Sequence, residues 1–174
     1  MSLLAEEIVE EWLNRKGFFT IRGIKLGVQE IDLLALGYFK NEIICRHVEV
    51  QASTSPMGYL VPLPKEIQKA SGRGPHNAKT RTEEEIRVGA EEWISKKFHH
   101  EKKERLRNKL FSGTWTLELV IHHMKHEEEL KYLEERGIII HRLDDIIDEM
   151  ANTEMLIPRA SGSDLLNLID IGKS

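Results

Sequence analysis

The pattern of apolar and polar positions along the chain predicts helices and strands in alternation. Residues 3–16 carry one apolar stripe at helical spacing, and Gly17 marks its end. Three stretches of strand-forming sequence follow within residues 18–53, and the last two are joined around Lys40–Asn41. These stretches predict three neighbouring strands in a meander.

The second half of the chain resumes this alternation after a long irregular segment. Residues 54–80 hold four of the five prolines, and only one helical turn is expected there, near Lys65–Ala70. Thr82 and Glu85 have the spacing of a capping box, which predicts a helix over much of 83–110. A fourth strand, a helix closed by Gly137, a fifth strand and a further helix at 143–152 complete the pattern.

The order of these elements predicts an α/β domain with a central mixed β-sheet flanked by helices, in the order αβββαβ and then αβα. A chain of 174 residues suits one well-buried domain. We therefore predict a single domain over residues 1–152, with an irregular insertion at about 54–80. Residues 153–174 are weakly patterned and are predicted to form a C-terminal tail.

Composition narrows the class of protein. With 40% apolar and 31% charged residues, the chain resembles an ordinary globular protein. No apolar stretch approaches the roughly 20 residues that span a membrane, so no membrane partner is expected. The single cysteine, Cys45, excludes an internal disulfide and is compatible with a cytoplasmic location.

Charge is distributed unevenly along the chain. The net charge is −4, yet residues 65–109 contain 13 Lys and Arg against 8 Glu, while the remainder contains 12 basic and 21 acidic residues. A basic middle segment in an acidic frame can bind a polyanion locally.

Carboxylates interrupt the predicted apolar strands at Glu30, Asp32 and Glu49. Side chains alternate across a strand, so Glu30 and Asp32 share a face of one strand, and His47, Glu49 and Gln51 share a face of the next. If the two strands pair, Asp32 and Glu49 converge at one edge of the sheet. Two carboxylates that close repel strongly without a cation between them, and such oxygen ligands suit Mg²⁺ or Mn²⁺. The alternative is that these carboxylates are solvated or paired with nearby lysines.

The segments EIDLLAL and HVEVQ carry a family resemblance. They resemble the (P)D…(D/E)xK signature of the PD-(D/E)XK nuclease superfamily. Their residues match most closely the GEIDL…VEVK pattern of the YraN-like proteins, and they are similar to those of archaeal Holliday junction resolvases. In those families the first helix carries a metal-site glutamate about eleven residues before a Gly-aromatic pair. In this chain Glu6 has that spacing from Gly17–Phe18. The resemblance covers residues 6–51, its order of elements fits to residue 125, and it implies a restriction-endonuclease-like core.

Helix geometry favours Glu6 independently of this resemblance. At about 100° per residue, Glu6 lies about 20° beyond Leu13, at the margin of the apolar stripe. Glu7 and Glu10 point away toward water, and Glu11 flanks the opposite margin as a weaker candidate. We therefore predict that Glu6 borders the sheet.

The resemblance implies a metal-dependent site. Asp32 and Glu49 would hold Mg²⁺ or Mn²⁺ together with Glu6, and the carbonyl of Val50 would add a ligand. The metal would lower the pKa of a bound water and neutralise charge that develops on the phosphate. The third signature residue is normally a lysine, but this chain has Gln51, which can hydrogen-bond the water and brings no charge. The predicted catalytic residues are therefore Asp32, Glu49 and Gln51.

The missing lysine leaves two functions open. The first is a metal-dependent DNA endonuclease that hydrolyses phosphodiester bonds through Glu6, Asp32, Glu49 and Gln51, with Lys65, Lys69 or Lys79 as candidates to supply the missing charge. The second is a catalytically weakened nuclease-fold protein that acts as a nucleic-acid-binding module. A purely structural protein is a third reading, disfavoured because a scaffold needs neither Asp32 nor Glu49. The expected partner is double-stranded or branched DNA, and because many relatives pair to cut two strands, a homodimer is a candidate assembly.

Other polar residues are candidates for the same function. The segment SGRGPHNAKTR combines Arg73, Lys79 and Arg81 with glycines, which predicts a loop that grips phosphates or, equally, a solvated loop. The auxiliary candidates for the site are His47, Lys65 and Lys69.

The histidines at positions 122, 123 and 126 suggest a zinc site at first sight. Adjacent residues on a strand point to opposite faces, however, and no cysteine lies nearby. The sequence therefore favours a surface strand end over a metal site.

Overall fold

The computed structural model describes residues 2–53 and 57–160. Within these residues, five strands form one sheet: β1 Phe19–Leu26, β2 Gln29–Phe39, β3 Glu42–Gln51, β4 Trp115–Ile121 and β5 Ile138–Arg142. Six helices accompany them in the described ranges: α1 Ser2–Arg15, α2 Lys65–Ser71, α3 Glu83–Lys97, α4 Glu101–Leu110, α5 Glu128–Glu135 and α6 Leu143–Asn152. No helix in the described ranges has the length and apolar character needed to cross a membrane.

The sheet is mixed and its strands lie in chain order. β1, β2 and β3 pair antiparallel, whereas β3, β4 and β5 pair parallel. Lys40 and Asn41 both have positive φ, as the two central residues of a type I′ hairpin turn require, and they join β2 to β3. The predicted α/β class, a central mixed sheet flanked by helices, is confirmed.

Each face of the sheet is covered by its own hydrophobic core. On one face, α1 and α6 pack on β2, β3 and β4 through buried residues such as Val9, Leu13 and Ile146. On the other face, α3 and α5 pack on β4 and β5 through Phe98, Leu119 and Leu133. Because side chains alternate along a strand, β4 contributes to both cores, with Val120 in the first and Leu119 and Ile121 in the second.

The helix predicted over residues 83–110 is interrupted, so its continuity was predicted wrongly. The capping box at Thr82 and Glu85 is present and begins α3, but α3 ends at Lys97 and α4 begins after His100. Between them, the ring of Phe98 is fully buried, 4.9 Å from the ring of His47. The break therefore places an aromatic ring in the core and turns one face of α4 toward the sheet.

The segment between β3 and α3 is anchored by a buried ion pair. Arg81 donates to the carbonyl of Val61 (2.6 Å) and to Glu129 (3.1 Å), and it lies over the ring of Tyr59. Glu129 also accepts the backbone N–H of Leu60 at 2.7 Å. The guanidinium of Arg81, predicted from sequence to contact phosphate, is thus enclosed by protein acceptors in this structure.

The other two predicted phosphate contacts lie nearer the surface. Arg73 pairs with Glu85 of α3, and Lys79 is exposed. Lys79 is therefore the member of the predicted loop with the most open side chain.

Residues 153–160 form neither helix nor strand and run beside α1. The N–H of Ile157 donates to the carbonyl of Arg15 (2.9 Å), and the N–H of Ala160 donates to Glu11 (2.9 Å). Glu11 also pairs with Arg15 (2.6 Å). The remainder of the predicted tail, residues 161–174, lies outside the described residues.

A second buried polar network lies on the α1 face of the sheet. The carboxylate of Glu118 accepts hydrogen bonds from Arg46 (2.7 Å) and Thr116 (2.6 Å), and His141 lies 2.7 Å from it. Burial alone would raise the pKa of Glu118, but the hydrogen bonds from His141 and Arg46 lower it to about 2. Glu118 is therefore ionised in the folded protein.

We expect Glu118→Gln to destabilise the protein and to reduce its sensitivity to acid. The pKa of Glu118 is about 2 in the folded protein and 4.5 ordinarily, so its contribution is complete above pH 4.5 and is lost as the pH falls toward 2. That contribution is on the order of 3 kcal/mol. Urea unfolding between about pH 7 and pH 2 measures it. In the exposed-site control Glu135→Gln, the free energy of unfolding should depend on pH as it does in the wild type. The same pH dependence in Glu118→Gln as in the wild type would contradict the expectation.

Candidate active site

The antiparallel register of β2 and β3 places Asp32 and Glu49 on the same face of the sheet. The last registered pair at this end is Leu33 with Val48, and Asp32 and Glu49 lie one residue beyond it. The N–H of Val50 donates to Asp32 Oδ2 at 2.8 Å and fixes that carboxylate at the strand end. The two carboxylates are therefore neighbours, as the alternation of the two strands predicts.

Glu49 is fully buried and surrounded by hydrogen-bond donors. Lys97 Nζ lies 2.7 Å from Oε2, whereas Lys103 Nζ (2.9 Å) and His47 Nε2 (3.0 Å) bind Oε1. Lys97 is the last residue of α3, and Lys103 extends from α4. The helix break around Phe98 thus brings two ammonium groups to one carboxylate.

His47 acts as a neutral donor in this cluster. Arg107 donates to His47 Nδ1, so the ring proton lies on Nε2 and is donated to Glu49. Burial, together with Arg107 and Lys103, lowers the pKa of His47 to about 4 despite the nearby carboxylate. The predicted auxiliary role of His47 thus corresponds to a buried residue that orients Glu49.

The positive charges around Glu49 favour the ionised form of its carboxylate. Burial would raise the pKa of Glu49, but the hydrogen bond from His47 and the charges of Lys97 and Lys103 lower it to about 2. Burial would also lower the pKa of Lys97, but the nearby Glu49 and Asp32 raise it above its ordinary value. The pKa of Lys103 is lowered, because burial there outweighs the attraction of Glu49. Lys97 therefore interacts electrostatically with both carboxylates.

Asp32 has the opposite electrostatic character. Burial and the neighbouring charge of Glu49 raise the pKa of Asp32 to about 7, although Lys97 and the N–H of Val50 oppose this change. Glu6 of α1 is mostly buried, adds a further weak increase, and lines the same open groove as Asp32. Glu6 and Asp32 border one groove, so their negative charges repel each other, and a cation bound between them would remove that repulsion.

Gln51 lies at the end of β3 and faces a different opening. It lines a cavity of about 540 Å³ together with Lys65, Lys96 and Lys97. Lys65, predicted as an auxiliary residue, therefore shares a cavity with Gln51. Lys69 and Lys79 are exposed and do not line this cavity. Of the three lysines proposed from sequence to replace the signature lysine, only Lys65 lies near Gln51.

The carboxylates of Glu6, Asp32 and Glu49 suit a divalent cation if Lys97 moves away from Glu49. Asp32 and Glu6 present carboxylates to one groove, and Mg²⁺ and Mn²⁺ prefer such oxygen ligands. Glu49 already accepts from Lys97 at Oε2, so a metal contact there requires this lysine to turn away. Lys97 can do so because its side chain is 25% exposed, whereas that of Lys103 is 1% exposed.

Sequence reasoning missed Lys97, Lys103 and Arg107. They lie in KKFHHEKKERLRNK, where frequent charges resemble a solvated helix face. The available signal was that Lys103 and Arg107 are four residues apart and so share one helix face. Phe98, an aromatic residue within a run of charges, was the signal for the helix break.

Comparison with known proteins does not assign this chain to a family. No family model matches it. No curated protein matches it. Among solved structures, it is similar to the crystal structure of a protein of unknown function, AF1548, with 13% sequence identity and a TM-score of 0.48, covering 87% of this chain and 67% of the other. A likeness at this level says nothing about activity.

Proposed function

We propose that this protein is a Mg²⁺- or Mn²⁺-dependent DNA endonuclease. The observation that carries the proposal is the position of Lys97, whose ammonium group binds Glu49 beside Asp32. The signature of the resembling nucleases needs two carboxylates and one positive charge at a single site. Here the two strands supply the carboxylates and α3 supplies the charge, so Gln51 does not need to be a lysine.

Each residue then has a distinct chemical role. Glu6, Asp32, Glu49 and the carbonyl of Val50 would hold the metal, which supplies an activated water and offsets charge on the phosphate. Lys97 offsets negative charge that develops on the phosphate during attack. Gln51 faces the neighbouring cavity rather than the groove of Glu6 and Asp32, so its side-chain amide would bind the DNA backbone beside Lys65.

The lysines around the cavity at Gln51 suit the DNA backbone. Lys65 and Lys96 line this cavity together with Lys97, and their flexible ammonium groups can bind phosphates that flank the cut. These lysines belong to the basic segment at residues 65–109, which lies within an otherwise acidic chain. Such a segment is consistent with a local DNA contact on a protein of net negative charge.

A second candidate function is nucleic-acid binding without efficient cleavage. One observation favours it: both oxygens of Glu49 are already bound by protein donors. If Lys97 never leaves Oε2, Glu49 cannot reach a metal. The two candidates therefore differ in whether Lys97 acts in catalysis or only neutralises Glu49.

The test is cleavage of plasmid, linear and branched DNA with Mg²⁺, Mn²⁺ or EDTA, comparing Lys97→Met with Lys96→Met. We expect metal-dependent cleavage by the wild type and a loss of about a hundredfold in Lys97→Met, because one charge that stabilises the transition state is removed. Lys96→Met, an exposed neighbour on the same cavity, should lose much less. Apparent metal affinity should not weaken in Lys97→Met, since that lysine competes with the metal for Glu49.

A relocated charge makes the test more specific. The double variant Gln51→Lys with Lys97→Gln should recover part of the activity that Lys97→Gln loses, because it returns the ammonium group to the strand. Salt-sensitive DNA binding without any cleavage would favour the second candidate. A protein that binds neither DNA nor Mg²⁺ would contradict both.

A further inference from the structure

A cluster of possible metal ligands lies outside the candidate active site. His122 and His123 follow the end of β4, and Asp144 is in the first turn of α6. One ligand atom from each of the three lies within 4.8 Å of the others. The strand alternation that argued against a zinc site does not apply, because β4 ends at Ile121 and the two imidazole rings lie 3.9 Å apart.

A hydrogen bond between the ring of His122 and the backbone orients this ring for metal binding. Its Nδ1 lies 2.9 Å from the carbonyl oxygen of Ser53. A carbonyl can only accept, so Nδ1 carries the proton and a neutral ring has its lone pair on Nε2. A backbone carbonyl that fixes the tautomer in this way is the usual support of a metal-binding histidine.

The lone pair on Nε2 faces another acceptor. Asp144 Oδ1 lies 3.3 Å from His122 Nε2, so an ionised carboxylate and a neutral imidazole present lone pairs to each other. This arrangement needs a cation between them or a second proton on the ring. Two ligands bound tetrahedrally at about 2.0–2.1 Å from Zn²⁺ lie about 3.3 Å apart, which is the observed separation.

The rest of the cluster allows the ion to enter and be held. The backbone around His123 is fixed because its carbonyl accepts the N–H of Met57 at 3.0 Å. The imidazole of His123 and the carboxylate of Asp144 are exposed, so both can close on an ion with small side-chain rotations. Two imidazoles and one carboxylate suit Zn²⁺ and similar borderline metals better than Mg²⁺.

We propose that His122, His123 and Asp144 form a binding site for Zn²⁺ or a chemically similar divalent metal, with at least one coordination position open to solvent. The ion would link the end of β4 to the first turn of α6, and through His122 to the chain just after β3. The site shares no residue with the candidate active site and does not depend on the proposed nuclease activity.

Zinc titration of the purified full chain tests this site, with a chromophoric zinc indicator as competitor and Co²⁺ absorption as a report on coordination. We expect one Zn²⁺ per chain, bound at least about tenfold more weakly in His122→Ala, His123→Ala and Asp144→Asn. The controls His126→Ala and Asp145→Asn remove a nearby histidine and the adjacent carboxylate, and they should bind like the wild type.

Two outcomes would overturn the proposal. In the first, the wild-type chain binds no Zn²⁺, which would mean that a ring proton on His122 alone balances Asp144. In the second, the three ligand variants and the two controls bind Zn²⁺ equally. Circular dichroism of each variant verifies that a loss of binding is not a loss of fold.

Discussion

Asp32→Asn is expected to reduce metal-dependent DNA cleavage at least about a thousandfold, which corresponds to about 4 kcal/mol of transition-state stabilisation. The substitution keeps the size of the side chain and its ability to accept the N–H of Val50. It removes the negative charge that would hold a divalent cation beside Glu49. Both cleavage rate and apparent metal affinity should therefore fall.

The same variant should not lose stability. Asp32 is a buried carboxylate next to Glu49, so a neutral amide relieves repulsion in the metal-free protein. A midpoint of urea unfolding equal to or above that of wild type is the expected result. The matched control is Glu30→Gln, since Glu30 lies on the same strand, is exposed and pairs with Lys25. Undiminished cleavage by Asp32→Asn would place the activity elsewhere or in a contaminant.

Lys103→Met is expected to destabilise the protein by about 3–5 kcal/mol, because it leaves part of a buried ion pair uncompensated. Lys103 binds both Glu49 and the carbonyl of Lys97, and neither its ammonium group nor Glu49 is accessible to water. Methionine fills a similar volume but provides no donor. The loss is larger than for ordinary surface lysines, which change stability by about half a kcal/mol or less.

The adjacent residue provides the control for this prediction. Lys102 is exposed on the same helix, so Lys102→Met should unfold at nearly the same urea concentration as wild type. Adding Glu49→Gln to Lys103→Met should recover part of the lost stability, because the unpaired buried charge is then gone. Equal stability of Lys103→Met and Lys102→Met would show that Lys97 and His47 suffice for Glu49.

Local sequence patterns predicted much of the fold. The five strands have alternating or continuous apolar sequence, and a two-residue turn at Lys40–Asn41 sets the register of β2 and β3. That register is sufficient to predict the approach of Asp32 to Glu49. The break after Lys97 was not predicted, since it depends on the burial of Phe98 against residues distant in sequence.

The partners of the charged residues were not predictable from local patterns. Arg81 looked like a loop residue among glycines, yet it pairs with Glu129, 48 residues further along the chain. Lys97 and Lys103 looked solvated because a lysine in a charged run has the same sequence context whether its long side chain points inward or outward. Long-range pairing of this kind becomes visible only when the helices are placed on the sheet.

Lys97 gives Glu49 an internal counterion, which has a consequence for how the protein would take up metal. Binding would be an ion exchange, in which a side chain held by the protein leaves as the divalent cation arrives. The fold therefore does not need metal to form, and metal should raise stability only by mass action. The competition also lowers metal affinity, so occupancy would follow the free concentration of the cation, while the displaced ammonium group becomes available to a phosphate.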